Sequence, residues 1–200
     1  MAELGKLDIF GLAKAIDLLR AGELVALPTD TVYGLAGLAS DAQVIAKIFA
    51  AKNRPASKAL SVVVFAPEHA KELVRVSPLA QALMDAFWPG GLTLVLPALA
   101  GAPTLAVRCP DIGWTQGFLK LGFTEPLVLP SANISGEPAP TTAGQVQAGI
   151  GDKIPLILDG GTCKAGQEST IIAVDGQRVK LLRVGAIAPE CFAAFDMDFA

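Results

Sequence analysis

Four short segments place hydroxyls, carboxylates and cations beside apolar runs that read as strands. Pro28-Thr29-Asp30-Thr31-Val32-Tyr33-Gly34 follows the apolar ELVAL run. Polar side chains at a strand's carboxyl end line ligand crevices in many α/β proteins, and they equally build turns in which Asp30 and the threonines bond nearby backbone. Lys52-Asn53-Arg54-Pro55-Ala56-Ser57-Lys58 gathers three cations at the end of a predicted helix. Arg54 suits bidentate phosphate contact, whereas cations near a helix C-terminus also simply answer its dipole. In Pro130-Ser131-Ala132-Asn133-Ile134-Ser135-Gly136, period-two spacing aims Ser131 and Asn133 to one side if the chain is extended. Thr141 then opens a predicted helix whose free N–H groups suit an anion, or else serves as an ordinary cap. Gly160 to Thr170, with Gly166-Gln167-Glu168-Ser169-Thr170 at its end, reads as a hairpin loop before a strand, although its glycines also permit close ligand approach.

Several other chemistries lack their residues. The chain has no GxxxxGK[ST] loop and no GxGxxG after a strand. His69 is the only histidine and falls among Glu68, Lys71 and Glu72, as on a solvent-facing helix. Cys109, Cys163 and Cys191 form neither a metal pair nor a disulfide framework, so reduced thiols in a cytoplasmic protein are expected. With a net charge of −3, contact with RNA would need a local basic patch rather than an overall field.

The elements that hold these segments follow from periodicity. Ile9, Leu12, Ile16 and Leu19 share one face of a helix over 9–21, which Gly22 ends. Ser40 or Asp41 caps a second helix running to about Lys52, stopped by Pro55. Strands are predicted at 23–29, 60–65, 92–97, 104–108, 127–129, 155–158, 169–174 and 178–183, with a turn at Asp175-Gly176. Helices are predicted at 67–75, 78–87, 115–121 and 142–149. Early alternation followed by closely spaced late strands predicts an α/β fold with a mixed sheet covered by helices. The chain is 52% hydrophobic and 18% charged, with no linker-like tract, which predicts one domain over residues 1–200. No apolar signal segment opens the sequence. The uncharged stretch from Ala86 to Val107 is long enough to span a bilayer, but Pro89, Pro97 and Pro103 divide it, so no membrane association is expected.

Taken in order, the same segments resemble the YrdC/Sua5 family of threonylcarbamoyl-adenylate synthases. The likeness rests on PTDTVYGLAG (28–37), AKNRP (51–55), FWPGGLTLVL (87–96), TLAVRCPD (104–111), PSANISGEPAPTT (130–142), GQEST (166–170) and LLRVGAI (181–187). The resemblance implies a twisted mixed parallel/antiparallel sheet flanked by helices, with a large concave cleft and without the C-terminal domain of longer members. It implies adenylation of L-threonine with bicarbonate and ATP, Mg2+ being carried on the triphosphate, for N6-threonylcarbamoyladenosine in tRNA. Thr31, Arg108, Ser131 and Ser169 would then hold threonine. Lys52, Arg54, Lys58, Thr104, Asn133, Thr141 and Arg183 would contact ATP, with Lys52 and Arg54 stabilising the transferring phosphate. Its partners would be downstream tRNA threonylcarbamoyl-transfer proteins, with a possible tRNA contact. Departures from the family pattern fall at Val63 and Ile112, where histidine is frequent, and at Ala59 and Gly91, where proline is. Two alternatives stay open at this point: a carbamoyl-adenylate-forming relative with another acceptor, and an RNA-binding module without catalysis.

Overall fold

The computed structural model describes residues 1–56, 58–176 and 178–195 in full, and 197–199 by their backbone. Its sheet contains β1 (Glu3–Lys6), β2 (Val25–Leu27), β3 (Gly34–Leu38), β4 (Ser61–Val63), β5 (Leu92–Pro97) and β6 (Thr104–Arg108). It continues with β7 (Leu127–Val128), β8 (Leu156–Asp159), β9 (Thr170–Asp175), β10 (Arg178–Arg183) and β11 (Met197–Phe199). The spatial order is β1-β8-β2-β3-β7-β4-β6-β5-β9-β10-β11. Parallel pairs such as β4·β6 and β5·β9 alternate with antiparallel ones such as β5·β6 and β9·β10, so the sheet is mixed as expected.

Five α-helices cover it: α1 (Ile9–Arg20), α2 (Ala42–Lys52), α3 (Pro78–Phe87), α4 (Gly113–Lys120) and α5 (Ala143–Ile150). Asp8 caps α1 by accepting from the Phe10 and Gly11 amides, and Leu12, Ala15, Ile16 and Leu19 are its buried face. Asp41 caps α2, and Asn53 ends it in the left-handed region at φ 48°. The segment predicted as a helix over 67–75 is a shorter 3-10 turn, Pro67–Glu72, with proline in its first turn and no side-chain cap. Among the described residues, no helix is long and apolar enough to cross a membrane.

Three strands were not anticipated: β1, β3 and β11. β3 is concealed by its composition, because GLAGL has the glycine content of a loop. Packing demands both glycines. A Cβ at Gly34 would lie 2.5 Å from Leu129 Cγ, and one at Gly37 would lie 2.4 Å from Val44 Cγ1. The hairpin expected around 160–169 is also overturned. β8 lies between β1 and β2, whereas β9 lies between β5 and β10, so this loop carries the chain across the sheet. It is tied down on the way: Ala165 N donates to Asp30 O, Gly166 N to Thr31 O and Cys163 N to Thr141 O.

Candidate functional site

Register across the central strands sets the site. Val63 of β4 lies opposite Arg108 of β6, and Leu94 of β5 lies opposite Val107, which puts Thr93 next to Arg108. Thr93 pairs with Ile171 of β9, and Ile171 with Arg183 of β10. Alternate residues along each strand face one way, so this row and its neighbours form one concave surface. The other face is apolar: Leu94, Val107, Ile172 and Val174 pack with Leu83 and Met84 of α3. The concave face bounds a cavity of about 280 Å3. Val63, Val95, Ala106, Leu129 and Ile171 give it an apolar lining, while Thr31, Arg54, Arg108, Ser131, Glu168, Ser169 and Arg183 supply polar groups. An apolar pocket with a few convergent polar groups is the usual form of a small-molecule site.

At one end Arg108 is almost wholly buried and fully oriented. Its Nη2 meets Asp30 Oδ1 at 2.5 Å, Nη1 donates to Thr31 Oγ1 at 2.8 Å, and Nε donates to the Gly90 carbonyl at 2.9 Å. Thr31 is in turn set by Thr29, whose Oγ1 lies 2.8 Å from Thr31 Oγ1 and donates to the Val32 carbonyl. Burial lowers the Arg108 pKa, and the adjacent Asp30 carboxylate opposes that shift. Three of the five guanidinium N–H groups are spent on the protein, which leaves donors for one further acceptor in the cavity.

The other end is more open. Arg183 lies along the 168–169 backbone, with Nε and Nη2 donating to the Ser169 carbonyl and Nη1 2.9 Å from Glu168 Oε2. Between the two ends, Ser169 Oγ lies 2.8 Å from Thr93 Oγ1, the neighbour of Arg108 across the sheet. Arg54 approaches from the loop after α2, held by Nη2 donating to the Ala59 carbonyl and Nε to that of Lys58. Burial lowers the Arg54 pKa, with Glu168 opposing and Arg183 adding to the shift.

Lys52 has a different setting from the solvated or ligand-facing cation its sequence position suggests. Its side chain is buried, and Nζ donates to the carbonyls of Ser131 and Asn133 and to Asn133 Oδ1. Its own carbonyl accepts from the Ser135 amide. All three ammonium hydrogens are thereby directed at the 131–133 loop. Burial lowers its pKa to about 8, with Arg54 contributing and Glu168 opposing.

Of the residues singled out from sequence, Thr31, Arg54, Arg108, Ser131, Ser169 and Arg183 come together on the cavity wall. Lys52 and Asn133 lie behind it, and the Asn133 amide donates to the Glu137 carbonyl. Ser131 and Asn133 therefore do not share a direction. Thr104 is exposed at the far end of β6, four residues and about 13 Å of strand from Arg108. Lys58 is exposed and outside the cavity lining. Thr141 precedes the helix rather than opening it: Thr142 caps α5, and Gln145 Oε1 accepts from the amides of both threonines. The amides of Thr141 and Thr142 are therefore both occupied. Ser57 lies outside the described residues. Glu168, Thr93 and Thr29 are cavity residues not selected from sequence; the alternation Thr93–Val95, shared with Ser169–Ile171, was the available signal.

The Sua5/yciO/yrdC family model, described as telomere recombination, matches residues 17–185. The threonylcarbamoyl-AMP synthase of Bacillus subtilis is 38% identical over 90% of this chain and 54% of its own length. The enzyme of the same name from Pyrococcus abyssi is 40% identical over 88% of this chain and 54% of its own length. The chain thus spans about half the length of these curated relatives. A crystal structure of P. abyssi Sua5 complexed with L-threonine superposes with a TM-score of 0.88 at 35% identity, covering 99% of this chain and 62% of that one. A shared fold and a sequence match running from α1 to just past β10 have one reading: the chain belongs to the Sua5/YciO/YrdC family.

Proposed function

We propose that this chain makes threonylcarbamoyl-AMP and pyrophosphate from L-threonine, bicarbonate and ATP, in the cytoplasm, for N6-threonylcarbamoyladenosine in tRNA. The observation that carries the reading is the division of the cavity. A buried, pre-oriented arginine with spare donors lies at one end, and two more open arginines lie at the other. A carboxylate fits the first and a polyphosphate the second.

In this reading Arg108 takes the threonine carboxylate, with Thr31, Ser131 and Ser169 around it. Arg54 and Arg183 neutralise phosphate charge. Lys52 and Asn133 act from behind by fixing the 131–133 loop. Thr104, Lys58 and Thr141 lie outside the core of the ATP site. The threonine amine and bicarbonate give a carbamate with loss of water. A carbamate oxygen then bonds to the α-phosphorus as the bond to the β-phosphate oxygen breaks and pyrophosphate leaves. Such a step depends on alignment and charge stabilisation more than on a protein nucleophile, which suits a cleft without histidine. Among the described residues no cluster of three acidic, histidine or cysteine ligands occurs. That donor set suits Mg2+ brought in on phosphate oxygens and water, where it would offset triphosphate charge.

The deciding experiment is pyrophosphate release by the purified chain with ATP, Mg2+ and bicarbonate, with and without L-threonine, and mass spectrometry for the adenylate. Threonine-dependent release with that product is the expected result. Threonine-independent ATP binding without release would instead favour another acceptor, and salt-sensitive RNA binding without turnover would favour an RNA-binding role.

The Lys52 setting adds a pH expectation. Above about 8 its ammonium loses a proton and with it one of three donors, leaving a 131–133 acceptor unpaired. Threonine-dependent kcat/KM should fall through that region, and Lys52→Arg should move the fall to higher pH. A wild-type profile flat across the same range would separate loop order from Lys52 protonation.

A further inference from the structure

Among the described residues, Glu168 is the only acidic one on the wall of a cavity that otherwise carries three arginines. It is not needed to orient Arg183, which already donates through Nε and Nη2 to the Ser169 carbonyl. Its backbone is held at the carbonyl. The Glu168 carbonyl accepts from the Ala186 amide, and Gly185 lies so close that a Cβ there would be 2.3 Å from that oxygen. The side chain is held by Arg183 Nη1 alone among the described residues.

The two arginine–carboxylate pairs of the cleft differ in kind. Arg108 and Asp30 are 10% and 17% exposed, and their pair is reinforced by Thr31 and Gly90. Arg183 and Glu168 are 37% and 40% exposed, with their carboxylate contact single-pronged at 2.9 Å. An open pair of that type is weak and is exchanged readily for a competing anion. The Glu168 charge also reaches beyond Arg183, since it opposes the lowering of both the Arg54 and Lys52 pKa values.

We infer that Glu168 is an internal counter-ion of the polyphosphate end of the cleft, occupying Arg183 when no ligand is present and weakening the hold on pyrophosphate when one is. This rests on the synthase reading above. A polyanion must draw Arg183 away from Glu168 and then lie near an uncompensated carboxylate. The consequence is an affinity set low enough for pyrophosphate to leave after bond cleavage, rather than the tight trap that the cavity's arginines would make without it.

The test is calorimetric titration of the full chain with inorganic pyrophosphate, without and with Mg2+, at low and high salt. Glu168→Gln keeps the size of the side chain, and Glu168→Ala removes any amide donor that Gln would add. Both variants should bind metal-free pyrophosphate about three- to tenfold more tightly at low salt, with the gain shrinking as salt screens the charge. Inhibition of turnover by added pyrophosphate should strengthen in parallel. Unchanged or weaker binding in both variants overturns the inference and leaves the synthase reading intact. Weaker binding confined to samples with Mg2+ also overturns it, making Glu168 a metal contact. No pyrophosphate binding by wild type or either variant overturns the inference alone, because the synthase reading stands or falls on threonine-dependent pyrophosphate release.

Discussion

Replacing Arg108 with alanine should destabilise the protein by about 3–5 kcal/mol and raise the threonine KM far more than the ATP KM. The stability loss arises because Asp30 would keep its carboxylate where its side chain is 17% exposed, after losing the guanidinium 2.5 Å away. Thr31 and the Gly90 carbonyl would lose a donor at the same time. Urea unfolding of Arg108→Ala and of Arg108→Ala/Asp30→Asn separates these effects, because the second variant should recover much of the lost stability and none of the threonine affinity. Arg108→Lys keeps the charge but not the planar fork, and should stay folded while remaining impaired for threonine. A selective loss of ATP affinity would exchange the two ends of the cleft.

Arg54→Ala should behave in the opposite way, leaving the fold nearly unchanged while reducing adenylate formation by at least about a hundredfold. Among the described residues, the Arg54 side chain donates only to the carbonyls of the exposed Lys58 and Ala59, which water can satisfy in its absence. In the proposed reaction its value would lie in placing a fixed charge where phosphate charge is redistributed. Thermal melting and single-turnover pyrophosphate release measure the two effects separately. Full turnover in a folded Arg54→Ala variant would remove this residue from the chemistry.

Much of the framework was legible from short-range signals. Asp41, the apolar face of α2 and Pro55 mark that helix to within a residue, and apolar β-branched runs mark β4, β5, β6 and β9. β3 was not, because its glycines are imposed by Leu129 and Val44, side chains whose proximity no local pattern reveals. The site divides along the same line. Segments bearing hydroxyls and cations could be found, and family resemblance attached roles to them. What each side chain touches depends on partners far along the chain. Lys52 reads as an exposed helix-end cation until the loop 79 to 81 residues later supplies three acceptors. Arg108 reads as free until Asp30 arrives from 78 residues earlier. Thr104 shares a strand with Arg108, and only the direction and length of that strand separate it from the cavity.

The crossover from β8 to β9 also bears on synthesis. A nascent chain that has emerged only as far as Gly160 has Arg108 and Asp30 but lacks Ser169 and Arg183, and its β5 has no β9 beside it. The cavity wall is therefore incomplete until the crossover has been made. Until the crossover is complete, β5 presents a free edge along an apolar strand, the kind of surface on which chains stick to one another. Such a topology favours slow, late closure over stepwise assembly. That edge is covered only when β9 arrives, so the interval between the synthesis of β5 and that of β9 is when the chain is most exposed to self-association.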